Sequence, residues 1–358
     1  MIPLSITVKT IPIRVLGCQR KIMNKKPTLA EVAAAAGVSS MTASRALRRA
    51  KDVSAATIEK VEKAAASVGY VGNSLAQSLS SQRTDLIAVI MPSLTNTVFP
   101  EVLAGIAEAT ESHGLQPVFG LSEYDPAKEL RAIRSLLSWK PAAFAVPGVD
   151  QLPEAKKLLQ TADIPVVQVM DLCPDPIDSC VGFSHHQSGR DMAEALLAHG
   201  YRRFSYVGSA LQRDLRAAKR RNGFAEKLAE HDLKWRSHFI TDETATMHLG
   251  SELTGAVIDS TPDTEVIYYA NDDMAAGGVF ECQRRKIQIP QDLVLAGFNG
   301  LDITDALPIQ IVTARSPRFQ MGLVTGNLLA DNIKQKQPRA QRIQLPPTID
   351  LGDLGKMV

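Results

Sequence analysis

Arg216 and Arg220 stand four residues apart, shortly after the apolar run Phe204–Val207. Side chains at that spacing share one face of a helix. Two guanidinium groups so placed suit planar, two-pronged recognition of a carboxylate better than most tasks. The run Arg213-Asp-Leu-Arg-Ala-Ala-Lys-Arg-Arg221 is rich in charge, however, so most of its members must be solvated. Other polar residues fall at comparable places. Ser93, Asn96 and, beyond them, Phe99 follow Leu86–Met91; Asn271-Asp272 closes the run 265–270; Asn299 follows Ala296-Gly-Phe298. Hydroxyls, amides and carboxylates of this kind can meet the hydroxyls of a polyol, while Asn271 also fits the cap of a following helix.

These residues need strand ends and helix starts to hold them. From Asp85 onward, apolar runs at 86–91, 117–121, 142–146, 165–170 and 204–207 read as buried strands. Stretches 97–113, 126–139, 151–162 and 186–199 read as helices. The alternation resumes with strand 265–270, helix 271–286 and strand 293–298. Repeated βα units predict an α/β fold with parallel sheets covered on both faces. The length of this region predicts two lobes. Ligands of open α/β sheets bind beyond the carboxyl ends of the strands. That rule nominates 92–100, Met170–Asp171, 208–220 and Asn271–Asp273 with Asn299.

The N-terminal region obeys a different pattern. Thr28-Leu-Ala-Glu31 is a capping box that starts a helix, and Gly37 ends it. Ser39 caps a second helix running through Leu47, and a third begins near Ser54 with Ile58, Val61, Ala65 and Val68 at helical spacing. Two short helices around a Gly-containing turn predict a helix-turn-helix; a three-helix protein-interaction module shares the pattern. Charge bears on the choice. Residues 21–83 hold ten Lys and Arg against four Asp and Glu, a net +6; residues 1–20 add +3, and the chain totals +2, so residues 84–358 carry −7. A basic head on an acidic body suits phosphate attraction by the head, which DNA, RNA or an anionic surface would each satisfy.

The string from Pro27 through Val32-Ala-Ala-Ala-Ala-Gly-Val-Ser-Ser-Met41 to Leu47, then Val53-Ser54, Gly69-Tyr70 and Asn73, resembles the DNA-binding headpiece of the lactose-repressor family. The resemblance implies that Ser40 and Met41 read base edges, Met41 by apolar contact, and that Arg45 reaches a guanine edge or a phosphate. Thr42 and Ser44 would contact phosphates, with Thr28 and Ser39 at the helix starts completing the set. Asn73-Ser-Leu-Ala-Gln-Ser-Leu79 resembles the family's hinge helix. By that likeness Asn73, Ala76 and above all Leu79 would act in the minor groove, Leu79 as a wedge paired with that of a second chain. A polar linker is the other reading of this segment, and Gly72 stands where many members have proline. Met23 matches the usual start, so residues 1–22 are expected to be a disordered leader or an upstream mis-start.

The body resembles the periplasmic sugar-binding-protein fold of the same family: two lobes around a cleft. Pro92-Ser-Leu-Thr-Asn-Thr-Val-Phe99, Leu137-Ser-Trp139, Val181-Gly-Phe183 and Phe280-Glu-Cys-Gln283 are similar to the gluconate-utilisation repressor branch. This implies a sugar-acid effector: gluconate, or a relative such as 2-ketogluconate or idonate. It places Arg220 at the family's effector-binding arginine, Asn271 and Asp272 at the effector, and Asn299 where many relatives carry a hydroxyl-binding Asp. It further implies a homodimer on operator DNA. No leucine heptad that would make a tetramer follows the last helix. His185 and His186, opening a helix, are expected at the surface.

Enzyme motifs for dinucleotides, nucleotide phosphates, serine nucleophiles or zinc proteases do not occur, so no catalytic role and no cofactor is expected. The four cysteines have neither CxxC spacing nor a neighbouring His pair; no metal is expected, and reduced thiols fit a cytoplasmic protein. No apolar stretch reaches spanning length. A periplasmic sugar receptor would share the body but has no use for residues 27–80. The expected division is leader 1–22, helix-turn-helix 23–71, hinge 72–83, effector and dimerisation domain 84–345, and C-terminal tail 346–358.

Overall fold

A computed structural model describes residues 27–50, 52–71, 84–94, 96–335 and 340–356. The chain divides into two compact units, one ending at Ser80 and the other beginning at Ser81. The headpiece comprises α1 (Leu29–Ala36), α2 (Ser40–Leu47) and α3 (Ala55–Val68). Each start is capped by a hydroxyl. Thr28 accepts from the Glu31 amide at 3.4 Å while the Glu31 carboxylate accepts from the Thr28 amide at 2.7 Å. Ser39 accepts from the Thr42 amide and Ser54 from that of Thr57. Gly37 closes α1 at φ +60°, a left-handed conformation in which glycine has no Cβ to clash. The core is Val32, Ala33, Ala36, Ala43, Ala46, Val61, Ala64 and Ala65. So many methyl-sized side chains let three short helices pack closely, and Val38 in the turn packs against them.

The body's first lobe is built on a parallel sheet of order β11-β5-β4-β3-β1-β2. Its strands are β1 (Leu86–Met91), β2 (Gln116–Leu121), β3 (Ala143–Pro147), β4 (Val166–Val169), β5 (Ser179–Gly182) and β11 (Arg342–Gln344). It carries α4 (Val98–Glu111), α5 (Pro126–Leu137), α6 (Pro153–Gln160) and α12 (Arg318–Lys334). The second lobe has the parallel order β7-β6-β8-β9, from β6 (Phe204–Ser209), β7 (Ser237–Thr241), β8 (Val266–Tyr269) and β9 (Val294–Ala296). Its helices are α7 (His185–Ala198), α8 (Leu215–Ala229), α9 (Met247–Ser260), α10 (Asp272–Arg285) and the short α11 (Asp302–Ala306). Strands β1, β3, β4, β6, β8 and β9 lie buried along nearly their whole length, as parallel strands covered on both faces must.

The chain passes between the lobes three times: from β5 into α7, from β10 (Thr313–Arg315) into α12, and from β11 to β12 (Thr348–Asp350). Strand β12 pairs antiparallel with β10, and Leu354 in the 3-10 turn Gly352–Lys356 is buried. Residues 346–356, expected as a tail, are therefore an integral third connection.

Helices on one sheet face meet through glycine. A Cβ on Gly189 of α7 would lie 1.9 Å from the Arg220 carbonyl oxygen, and one on Gly223 of α8 would lie 1.9 Å from that of His186. The pairs Gly105–Gly322, between α4 and α12, and Gly250–Gly277, between α9 and α10, repeat the arrangement. Backbones pressed this closely fix the rotation and height of α8, which carries the arginines.

Candidate DNA-reading helix and effector cleft

Ala43 and Ala46 face the headpiece core from α2 and Leu47 packs against it, while Ser40, Met41 and Arg45 face outward. Ser40 and Met41 are exposed, Met41 to 68%. Thr42 and Ser44 are half-buried; the Thr42 hydroxyl shares a bond with Ser39, and the Ser44 hydroxyl accepts from Arg48. Arg45 projects one turn beyond Met41 and pairs with Asp52. Thr28 and Ser39 use their hydroxyls as caps at the N-termini of α1 and α2. Asn73, Ala76 and Leu79 lie outside the described residues.

In the body a cleft of about 500 Å3 opens at the carboxyl ends of the strands, within the range of small-molecule sites. Ser93, Asn96, Tyr124, Ser209, Asn271 and Asp273 line it, together with Arg213 and Asp214. Asn96, just before α4, accepts from the Val98 amide and points its side-chain nitrogen at the Tyr124 hydroxyl, 3.4 Å away. Asn271 caps α10 through the Met274 amide at 3.0 Å and still reaches the cleft. A smaller side chamber of about 80 Å3 shares Pro92, Tyr124 and Arg213 with the cleft, and is bordered by Glu129, Asp150 and Arg216.

Arg216 is held by aromatic rings, its guanidinium carbon 5.0 Å from the centre of Phe99 and 6.0 Å from that of Tyr124. Its side chain is 12% exposed, and the carboxylate of Asp214 stands 3.9 Å away, beyond hydrogen-bond length. The two rings, whose centres are 6.2 Å apart, hold it from one side by cation–π attraction, and its donors make no hydrogen bond among the described residues. Phe99 is accordingly part of the core that supports Arg216.

Three residues expected at the effector line neither the cleft nor the side chamber. Arg220 is buried to 5% exposure and lines neither space. One terminal nitrogen lies 3.0 Å from His185 Nδ1, the other donates to the Ala270 carbonyl at 2.8 Å, and the guanidinium carbon lies 4.1 Å from the centre of the Phe298 ring; Nε has no hydrogen-bond partner among the described residues. Asp272 is fully buried, its oxygens accepting from the Thr313 hydroxyl at 2.7 Å and the Leu301 amide at 2.8 Å. It ties α10 to the strand-crossing region, and its neighbour Asp273 faces the cleft instead. Asn299, at φ +115°, serves through its backbone, accepting from the Ser316 amide and from Arg318.

His185 is buried too, contrary to the surface position expected of it; His186 is at the surface, paired with Glu226. The Met170 carbonyl, 2.9 Å from His185 Nε2, can only accept, so Nε2 carries the proton and Nδ1 accepts from Arg220. Burial, then the charges of Arg220 and Arg216, hold the His185 imidazole well below its ordinary pKa, in keeping with that neutral form. The chain Met170–His185–Arg220–Ala270 thus joins the end of β4 to the end of β8. A second link between the lobes is Lys219 on α8, whose Nζ is 2.7 Å from both Asp150 and Asp171 at the ends of β3 and β4. Burial works against that ammonium charge, but the two carboxylates more than offset it and raise its pKa. Beside the side chamber, burial pushes the Glu129 carboxyl up to about 7, with Arg216 opposing and Asp150 adding to the rise.

Tyr124, Ser209, Asp214, Asp273 and Glu129 were not singled out from the sequence. The strand-end rule covers 208–220 and Asp273; applied to the end of β2, it would also have found Tyr124.

Two family models match the chain. Residues 28–73 match the bacterial regulatory proteins of the lacI family, and residues 84–351 match the periplasmic binding proteins and sugar binding domain of the LacI family. The chain is 32% identical to the HTH-type transcriptional regulator GntR of Escherichia coli, over 92% of its own length and 98% of the relative's. It is 34% identical to GntR of Pseudomonas aeruginosa over 89% and 93% of the two chains. A crystal structure of a LacI-family transcriptional regulator from Silicibacter pomeroyi superposes with a TM-score of 0.86 at 39% identity, covering 91% of this chain and 98% of that one. Headpiece, two-lobed body and cleft together make this chain a transcriptional regulator of the lacI family.

Proposed function

We propose that the body senses a small sugar acid of the gluconate type, and that its binding loosens the headpiece from operator DNA. The observation that carries this reading is Arg216: a cation packed against two neighbouring aromatic rings, beside a cleft of hydroxyls and amides, with no carboxylate at hydrogen-bond distance among the described residues. A ligand carboxylate takes the Arg216 donors, and its hydroxyls meet Ser93, Asn96, Ser209, Asn271 and Asp273. Arg220 supports the site from below by holding His185 and the Ala270 carbonyl.

On DNA, Ser40, Met41 and Arg45 read bases, and Thr28, Ser39, Thr42 and Ser44 set the register. Two copies act on a two-fold-related operator, each head on one half-site, with Asn73, Ala76 and Leu79 of segment 72–83 paired at its centre. The protein has no catalytic duty in this scheme. Closure of the lobes on the ligand is transmitted through that segment, so effector and operator each weaken the other's binding by the same factor.

Calorimetric titration with gluconate, 2-ketogluconate, idonate and glucose tests the ligand class. A sugar acid binds and glucose does not, and Arg216→Met abolishes binding at accessible concentrations. Tight binding of glucose with Arg216→Met unaffected would remove the sugar-acid reading. Operator binding that strengthens with the acid would reverse the direction of control.

A further inference from the structure

We propose that Glu129 takes up a proton when a ligand carboxylate occupies Arg216, which makes effector sensing by this protein dependent on pH. This rests on the sugar-acid reading above and adds a regulation to it.

The argument begins with what each acid around the side chamber is bonded to. Asp125 accepts from the amides of Ala127 and Lys128 at 2.7 and 3.1 Å. Asp150 is paired with Lys219, which Asp171 shares. Asp214, behind Arg216, accepts from the Ala217 amide at 3.2 Å. Glu129, on the first turn of α5, has no donor at hydrogen-bond distance among the described residues. The other ionisable groups around the chamber are the Tyr124 phenol and the cations Arg213 and Arg216. Arg213 is turned toward the Asp242 carbonyl. Among the described residues, the charge on Glu129 is therefore supported through space by Arg216, and opposed by partial burial and by Asp150.

A carboxylate arriving on Arg216 cancels that support and brings a second negative charge close by. Both effects raise the proton affinity of Glu129. Because its carboxyl already titrates at about 7, it is close to half-protonated near neutrality and can respond. If ligand binding raises this value by about one unit, about 0.4 proton is taken up per ligand near neutral pH, and the ligand binds about five-fold tighter at pH 6 than at pH 8. Gluconate itself is ionised throughout this range and contributes nothing to the dependence.

The test is calorimetry of the intact protein with sodium gluconate, near neutral pH, in phosphate, imidazole and Tris buffers. The observed heat is expected to change linearly with buffer ionisation enthalpy, with a slope corresponding to proton uptake. Glu129→Gln is expected to bind gluconate with no buffer dependence and with an affinity flat from pH 6 to pH 8. Wild-type binding with zero slope overturns the inference while leaving the sugar-acid reading standing. So does a slope retained in Glu129→Gln. The wild-type series decides the matter even if the variant folds poorly. Absence of binding by any of the sugar acids would overturn the sugar-acid reading, and this inference with it.

Discussion

Gly223→Ala sets two physical effects against each other with opposite signs. In an exposed helix interior, replacing glycine by alanine stabilises by about 1 kcal/mol, because the backbone loses less freedom on folding. At Gly223 the new methyl would lie 1.9 Å from the His186 carbonyl oxygen. An ordinary carbon–oxygen contact is roughly 3.3 Å, so α7 and α8 must separate by more than an ångström. The obstacle is backbone, which has no rotamer to yield. Overpacking of this kind costs about 1–3 kcal/mol, and the upper end applies here. The separation also stretches the 3.0 Å contact between Arg220 and His185, a charge-assisted bond worth about 1.5–3 kcal/mol. Packing thus outweighs propensity, and a net loss of about 2–4 kcal/mol is expected, with weakened sugar-acid binding. Urea unfolding followed by tryptophan fluorescence measures the first, since Trp235 stacks on Phe224 beside the substitution. Calorimetry measures the second. A stabilised variant with unchanged ligand affinity would refute the claim that this helix contact fixes the cleft.

Asp52→Asn releases Arg45 from its surface ion pair. Such pairs are worth at most about 1 kcal/mol, so DNA affinity of the full-length protein at low salt should rise up to about five-fold, read by fluorescence anisotropy. Asp272→Ala strands the Leu301 amide and the Thr313 hydroxyl inside the protein, and a loss of roughly 2–4 kcal/mol is expected in denaturant titration; a shift below about 1 kcal/mol would contradict the described bonding. The pH dependence of stability has a definite sign. Burial raises the folded-state pKa of Asp272 to about 6 against the hydrogen bonds it accepts, and that of Glu129 to about 7. The native state then holds protons that the unfolded chain has already released. These groups therefore favour folding most below pH 4 and progressively less as pH rises through 6 to 7. Glu129→Gln should flatten the upper part of that slope, and an unchanged profile in urea midpoints between pH 5 and pH 8 would count against it.

The features visible in the sequence share a physical cause. Buried parallel strands leave continuous apolar runs, so β1, β3, β4, β6 and β8 could be placed within a few residues. The caps Thr28, Ser39 and Ser54 act within three residues of themselves, and they too could be read directly. Strand β7, Ser-His-Phe-Ile-Thr, lies at a sheet edge with alternating exposure and offers no such run. Strands β10, β11 and β12 are three residues each and exist only because distant partners meet them. The site failed in the same way. His185 opens a helix as a surface residue would, yet its partners lie 15 and 35 residues away, beneath a crossing between lobes. Asp272 and Asp273 are adjacent on a helix, where one residue is about 100° of rotation. No local pattern states which of the two faces the ligand; the Thr313 hydroxyl, 41 residues on, decides it.

The three strand crossings set the mechanics of the body. Two rigid blocks joined by one tether can swing, twist and slide past one another. Three tethers side by side resist stretching and sliding together, and leave bending about the line that joins them as the soft motion. Lys219, paired with Asp150 and Asp171, adds a side-chain link between the same two blocks. A ligand can accordingly speak to the rest of the molecule in a single mechanical coordinate, the angle between two plates. The sharpness of the response depends on how stiffly those tethers confine it.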